Sequence, residues 1–284
     1  MTRKVTIANL QTRPMPNFYS ALNEAISFMD KAIAGGADLI CLPEYCGGLK
    51  TDGAAFAPPH LPESEHPVIN GLCDYAAKHS VDILIGSVAV SGSGPKFTNR
   101  SFYVDRSGEI LSRYDKIFLF DVDLSDTEKY RESDRVEPGN KAIVTTTRFG
   151  RIGHSICYDL RFAQLYRDLA QAGAEILVCP AAFAVPTGKA HWHTLNRARA
   201  IENGAFMISP CAHGRVSGGG ASYGHSLIVN PWGEILSDGG DSPGVTVTTI
   251  DLDLVASTRK RISSLQHDRP YTIQVGELIN RAVE

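Results

Sequence analysis

Short apolar runs and amphipathic stretches alternate along almost the whole chain, and this alternation narrows the possible folds more than any other feature. Residues 5–10 read as a strand. Over 17–34, Ala21, Ala25, Phe28, Met29, Ala32 and Ile33 recur at helical spacing until Gly35 and Gly36 stop them. A short buried strand at 38–43, a helix at 67–80 and a strong strand at 82–90 follow. Residues 99–114 read as a hairpin turning at 105–108, and 149–151 as the turn of another. Helices at 162–173 and 191–203 then alternate with strands at 175–179 and 205–210, before a hairpin at 226–236 and a last strand at 245–250. Such alternation predicts an α/β protein with helices laid over sheets. The hairpins among the crossovers argue against one purely parallel, doubly wound sheet. No linker rich in Pro, Ser or charge interrupts the pattern, so residues 1–270 are expected to form one domain, with 271–284 as a C-terminal tail.

Bulk properties exclude several classes of partner. A net charge of -3 offers no basic field for nucleic acid. The chain enters its first strand directly, without the apolar segment of a signal peptide, and no run approaches the roughly 18 apolar residues of a membrane span. Six scattered cysteines with no C-x-x-C fit a reducing compartment. The expectation is a cytoplasmic protein with neither nucleic acid nor membrane as partner.

Three chemistry-bearing residues stand at strand ends, where open α/β layers place their sites. The apolar run 39–43 ends in Glu44, the hairpin strand before 116 ends in Lys116, and the run 151–157 ends in Cys157. A free cysteine is by default a buried, inert filler, and that reading holds for Cys41, Cys73, Cys179 and Cys211. Cys157 differs because charged residues follow it at once, so the backbone emerges there at a polar surface or pocket. A thiolate is a strong nucleophile if a neighbour removes its proton. Glu44 is the candidate base, while His154, three residues upstream on the same strand, should face the other way.

The match becomes specific when the motifs are taken together. Leu42-Pro43-Glu44, Tyr114-Asp115-Lys116 and Cys157-Tyr158-Asp159-Leu160-Arg161-Phe162 resemble, in that order, the Glu–Lys–Cys triad of the nitrilase superfamily of carbon–nitrogen hydrolases. Thr187-Gly188, Ala190-His191-Trp192, residues 197–202, Tyr223-Gly224-His225-Ser226 and residues 230–234 continue the likeness. It is greatest to the small-amidase branch of ω-amidase and deaminated-glutathione amidase. The resemblance implies a four-layer α-β-β-α sandwich of two mixed sheets. It also implies a thiol amidohydrolase without metal or cofactor, acting on a small carboxylate-bearing amide through an acyl-thioester. Lys116 and the Tyr158 backbone N–H would hold the oxyanion, Glu132 would align Lys116, and Tyr158, Thr187, Lys189 and His191 would meet the substrate. A homodimer or larger homo-oligomer is implied, its tail packed on a neighbouring subunit.

Two readings compete. The same triad could act on a nitrile or an N-carbamoyl amino acid, or the fold could be kept as a non-catalytic binding module. Gln164, Lys189 and His193 depart from the acids and proline that relatives carry, which makes that region less negative. Asp159 and Arg161 are expected to pair and fix the turn after Cys157. The long loops 47–66 and 213–222 are expected to cover the site. Of His191, His193, His213 and His225, only the first two lie close in the chain, and two apart on a helix they diverge, which argues against a metal site.

Overall fold

The computed structural model describes residues 3–53, 55–92, 94–126 and 129–276. Its centre is two six-stranded sheets. Sheet I runs Gly244–Asp251, Lys4–Gln11, Leu39–Cys41, Asp82–Ser91, Phe97–Val104, Ile110–Asp115, with parallel pairing only among its second, third and fourth strands. Sheet II runs Val144–Thr146, Arg151–His154, Ile176–Val178, Phe206–Ser209, Leu227–Val229, Ile235–Asp238 with the same sequence of pairings.

The period-2 alternation of strand side chains explains the four layers. Ile7, Leu39, Cys41 and Leu84 from sheet I meet Ile176, Val178, Phe206 and Ile208 from sheet II in one shared core. The intervening residues point outward. Ala8, Ile40, Ile83 and Ile85 bury against helices Phe18–Ala34 and Pro67–His79, and Leu177 and Met207 against Ala163–Gln171 and His193–Asn203. Each fully buried aliphatic side chain contributes about 1.5–3 kcal/mol, so both faces of both sheets must be covered. Polar ties fix the stacking: Asn9 donates to the Leu227 carbonyl at 2.9 Å inside the sandwich, and Arg3 pairs with Glu175 at its edge. The architecture is the α-β-β-α sandwich expected.

Element boundaries shift by a few residues, for local reasons. The first helix starts at Phe18 because the Asn17 side chain accepts from the Ser20 N–H as its N-cap. The helix expected from 191 begins as a wide π-type turn, Gly188–Trp192, and becomes α-helical at His193. Helix Asp253–Arg261 is not signalled by the sequence, since it is mostly charged and buries only Val255 and Thr258. The long loops 47–66 and 213–222 carry small hairpins, Thr51–Asp52 with Ala55–Phe56 and His213–Arg215 with Ala221–Tyr223. No described helix is long and apolar enough to cross a membrane. Of the expected tail, residues 271–276 are exposed and form no regular element, and 277–284 lie outside the described residues.

Candidate active site

Glu44 leaves sheet I just past Leu39–Cys41, where the chain is forced into a sharp turn. The neighbouring strand Asp82–Ser91 bulges between Ile85 and Val88, and Gly86 sits in that bulge. A Cβ there would lie 1.9 Å from the Leu42 carbonyl oxygen and 2.3 Å from that of Pro43. Only glycine lets the two backbones approach this closely. Ser87 then holds the turn, its hydroxyl accepting from the Tyr45 N–H at 2.9 Å, and Tyr45 adopts a left-handed φ of 52°.

Lys116 follows strand Ile110–Asp115. Its N–H donates to the Asn99 carbonyl and its carbonyl accepts from Gly139. The side chain is among the largest fully buried ones. Its Nζ donates to Glu44 Oε1 at 2.9 Å and to both oxygens of Glu132, at 2.8 and 3.1 Å. Burial alone would lower its pKa, but the two carboxylates hold the ammonium well above the usual lysine range.

The remaining lone pairs of both acids are also used. Glu44 accepts from Asn99 Nδ2 at 2.9 Å and from the Ala182 N–H at 2.8 Å. Glu132 accepts from the Tyr45 hydroxyl, from Asn99 Nδ2 and from the Phe120 N–H. Buried charges persist only when paired and hydrogen-bonded in this way. Asn99 and Tyr45, which brace the two acids, carry no mark in the sequence. A single buried amide in a strand has no signal that distinguishes it from an exposed one.

Cys157 does not end its strand as expected. The ladder stops at His154, because the Asp159 carboxylate caps the Ile156 N–H at 2.8 Å and turns the chain into a tight helix, Cys157–Arg161. Cys157 opens that helix at φ 48°, with its N–H on the Pro180 carbonyl. Left-handed backbone at a non-glycine costs about 1–3 kcal/mol and gathers at functional sites. Burial first, then the charge of Glu44 and its hydrogen bond, push the Cys157 thiol well above its usual range, with Lys116 opposing. His154 points elsewhere, its Nε2 2.8 Å from Thr145 Oγ1.

The expected Asp159–Arg161 pair is not formed. Asp159 is fully buried and accepts from Tyr114, Ile156 and Phe118. The Arg161 guanidinium instead lies 5.6 Å from the ring centres of both Tyr158 and Phe183, and it donates to His191 Nδ1. In this tight 3-10 turn, with about three residues per turn, residues 159 and 161 point about 120° apart around its axis, so their side chains diverge.

Glu44, Lys116, Cys157, Tyr158 and Thr187 line one cavity, walled by Phe56, Phe120 and Phe183. Its volume of about 10 Å³ is close to what one water molecule needs. Glu132 stands behind Lys116. Phe56, Phe120, Ala182 and Ala184 also line a small passage shared with Tyr130 and Gly219–Ala221. Beyond it lies an open groove of about 720 Å³ that includes Lys129, Thr51 and Pro186. The two long loops meet beside this groove, with the Thr51 N–H on the Ser217 carbonyl. Lys189 instead lines a neighbouring cavity with His213 and Tyr223. His191 is exposed beside Arg161, and Gln164 donates to Asp168 on its own helix. His193 lies against neither cavity wall but beside Asp238, which also contacts His225. The premise that only His191 and His193 come close therefore fails, because the fold joins residues far apart in the chain.

A buried thiol, two carboxylates and an ammonium at the meeting edge of two stacked mixed sheets define a nitrilase-type hydrolase fold. Family comparison agrees: the carbon–nitrogen hydrolase model matches residues 5–260. A deaminated glutathione amidase from Synechocystis is 38% identical over 92% of this chain and 96% of that protein. The human omega-amidase NIT2 is 33% identical over 87% and 89% respectively. Among solved structures, the C. elegans NitFhit protein superposes with a TM-score of 0.86 at 27% identity, over 94% of this chain and 66% of that one. Yeast Nit3, a nitrilase-superfamily member, gives 0.79 at 25% identity over 91% and 94%. The chain belongs to the carbon–nitrogen hydrolase family and is an enzyme of the amidase class, which hydrolyses carbon–nitrogen bonds other than peptide bonds.

Proposed function

We propose that the chain is a thiol amidohydrolase that cleaves the terminal amide of a small carboxylate-bearing compound through an acyl-thioester on Cys157. The observation that carries this reading is that Lys116, paired with two buried carboxylates, lines the same cavity as Glu44 and Cys157. A thiol pushed up by burial and a nearby carboxylate rests protonated. Moving its proton to Glu44 leaves the net charge of the buried cluster unchanged, so the thiolate forms without a new uncompensated charge.

The reaction follows from that transfer. Cys157 Sγ bonds to the amide carbon as its proton passes to Glu44. The developing oxyanion is met by the Lys116 ammonium and by the Tyr158 N–H, which opens a helical turn where amides lack an intrahelical acceptor. The C–N bond breaks as Glu44 protonates the leaving ammonia. Water then adds to the thioester, giving a proton to Glu44. The C–S bond breaks, and that proton returns to the sulfur.

Substrate size follows from the cavity. Phe56, Phe120 and Phe183 leave room for about one water molecule beside Cys157, so a substrate must be small at its reacting end and these rings must part to admit it. Arg161, near two rings of that wall, is placed to attract a substrate carboxylate. The names of the amidase relatives, deaminated glutathione amidase and omega-amidase, agree with such a substrate. Exposed Ile201, Trp232 and Ile262, with Tyr271, Ile273 and Val275 on the tail, support assembly with a second copy.

The test is ammonia release from ω-amides of dicarboxylic acids, deaminated glutathione, simple nitriles and N-carbamoyl amino acids. Release from a carboxylate-bearing amide at the highest kcat/KM is expected. Hydrolysis of nitriles or carbamoyl compounds alone would overturn the substrate assignment.

A further inference from the structure

Away from the Cys157 cavity, three segments bring metal-ligating side chains together. His193 begins helix His193–Asn203, His225 precedes strand Leu227–Val229, and Asp238 ends strand Ile235–Asp238. One donor atom from each lies within 4.8 Å of the others. His193 Nε2 is 2.9 Å from Asp238 Oδ2, and His225 Nδ1 is 2.9 Å from Asp238 Oδ1. We propose that His193, His225 and Asp238 form a binding site for one divalent transition-metal ion of the zinc class, clamping the start of the helix to the Leu227–Asp238 hairpin.

The donor set fits that class. Two imidazoles and a carboxylate suit zinc and its neighbours, whereas magnesium and calcium prefer all-oxygen shells. Zinc bonds such nitrogens and oxygens at about 2.0–2.2 Å, which puts neighbouring tetrahedral ligands about 3.3–3.5 Å apart. The two histidine–carboxylate spacings need open by only a few tenths of an ångström. In each, the proton now shared with Asp238 sits on the ring nitrogen that would take the metal.

The site is also held in place from behind. The Gly240 N–H donates to Asp238 Oδ1 at 2.8 Å and orients the carboxylate. His225 adopts a left-handed φ of 54°, one of four non-glycine residues among those described to do so. Its backbone is pinned there, with its N–H on the Gly240 carbonyl and its carbonyl accepting from Trp192 Nε1 at 2.7 Å. A merely structural tether would not need a strained backbone to aim an imidazole at a carboxylate that a second imidazole already reaches. His225 also borders the cavity of about 340 Å³ that Lys189 and Tyr223 line, so a fourth position on the metal would open to solvent.

The experiment uses the full chain carrying Cys157→Ala, which removes the reactive thiol as a competing ligand. Titration with Zn2+ alone should give one ion per chain, and Co2+ should give visible absorption bands of a mixed nitrogen–oxygen shell. Adding His193→Ala, or separately Asp238→Asn, should weaken Zn2+ binding at least tenfold, and Zn2+ should no longer raise the melting temperature. His225→Ala risks misfolding at its strained position, so the other two substitutions decide the outcome. No Zn2+ binding, or binding undiminished by His193→Ala and Asp238→Asn, would overturn the proposal. The three residues would then be a hydrogen-bonded tether only.

Discussion

Sheet I and sheet II repeat one order of pairings across six strands, yet they contribute unlike parts to the site. The half built on sheet I carries Glu44 and Lys116 just past strand ends and Asn99 within a strand. The half built on sheet II contributes Cys157 and a backbone donor, the Ala182 N–H, which reaches across to Glu44. Glu132 comes from the connection between the halves, on the short helix Glu132–Asp134. The charged side chains therefore come from outside the sheet II half, and the thiol from the helical turn just after its strand Arg151–His154. The cluster exists only where the two sheets stack. A repeated scaffold thus contributes different residues to one cluster, which the proposed reaction would use as a unit.

The division can be tested by damaging one half at a time. The largest effect is expected from Lys116→Met, which removes the ammonium and leaves Glu44 and Glu132 facing each other. Loss of one oxyanion donor costs about 2.7–4 kcal/mol, or roughly 10²–10³ in kcat, with KM little changed. Stopped-assay kinetics on the purified variant check this. A kcat within threefold of the wild type would break the assignment of Lys116.

Backbone damage should discriminate between the halves. Gly86→Ala forces a methyl against two carbonyl oxygens that cannot move without displacing Glu44. It should cost about 3 kcal/mol, the upper end for overpacking, and depress kcat as well. Gly153→Ala, in sheet II, meets the side-chain carbons of Leu169, Ala174 and Leu177 at 3.0–3.1 Å. It should cost about 1 kcal/mol and leave kcat nearly unchanged. Denaturant melts beside kinetics read the difference. Equal effects in both variants would contradict the special role of the Glu44 turn.

Glu132→Gln should have a smaller effect. The amide keeps the shape but accepts at only one end, so it loses the hydrogen bond from Tyr45 or from Phe120 as well as one of the two charges that hold Lys116. A fall in kcat of about tenfold with KM unchanged is expected. A KM effect alone would make Glu132 a substrate contact.

The smallest effect is a shared acid sensitivity. Each half buries a neutral histidine: His66 against the first helix layer and His154 between Thr145 and the core. Burial lowers both to about 4. Unfolded histidine takes up a proton near 6.5, so between about 6.5 and 4 the unfolded chain binds more protons and stability falls as pH falls. Asp159 acts in the opposite sense, because burial raises its carboxyl to about 6 and the folded chain binds that proton first. Two histidines outweigh one carboxyl, so melting at pH 5 should be lower than at pH 7. A higher melting temperature at pH 5 would contradict it.

Much of this is legible in the sequence, and the failures have causes. Short apolar runs such as residues 82–90 reveal buried strands, and the places of Glu44 and Lys116 just past strand ends are readable from the strands before them. The stacking of two sheets comes from resemblance, because no local pattern says which outer face meets which. The turn at Cys157 is hidden because the apolar run continues to Ile156, and its interruption depends on a side-chain cap from Asp159. Helix Asp253–Arg261 is hidden because two buried residues make no periodic stripe. Asn99, Tyr45 and the His193–His225–Asp238 cluster are assembled by contacts between residues far apart in the chain, which no spacing rule records.

The central claim is that Cys157, from one half, becomes covalently acylated under the charges of the other. Acid-quenching the enzyme during turnover of a carboxylate-bearing amide and digesting it for mass spectrometry tests that claim directly. The expected result is the mass of the substrate's acyl group on the peptide carrying Cys157, absent from the Cys157→Ala chain, which should also be inactive. An adduct on any other side chain, or turnover that survives Cys157→Ala, would contradict the account.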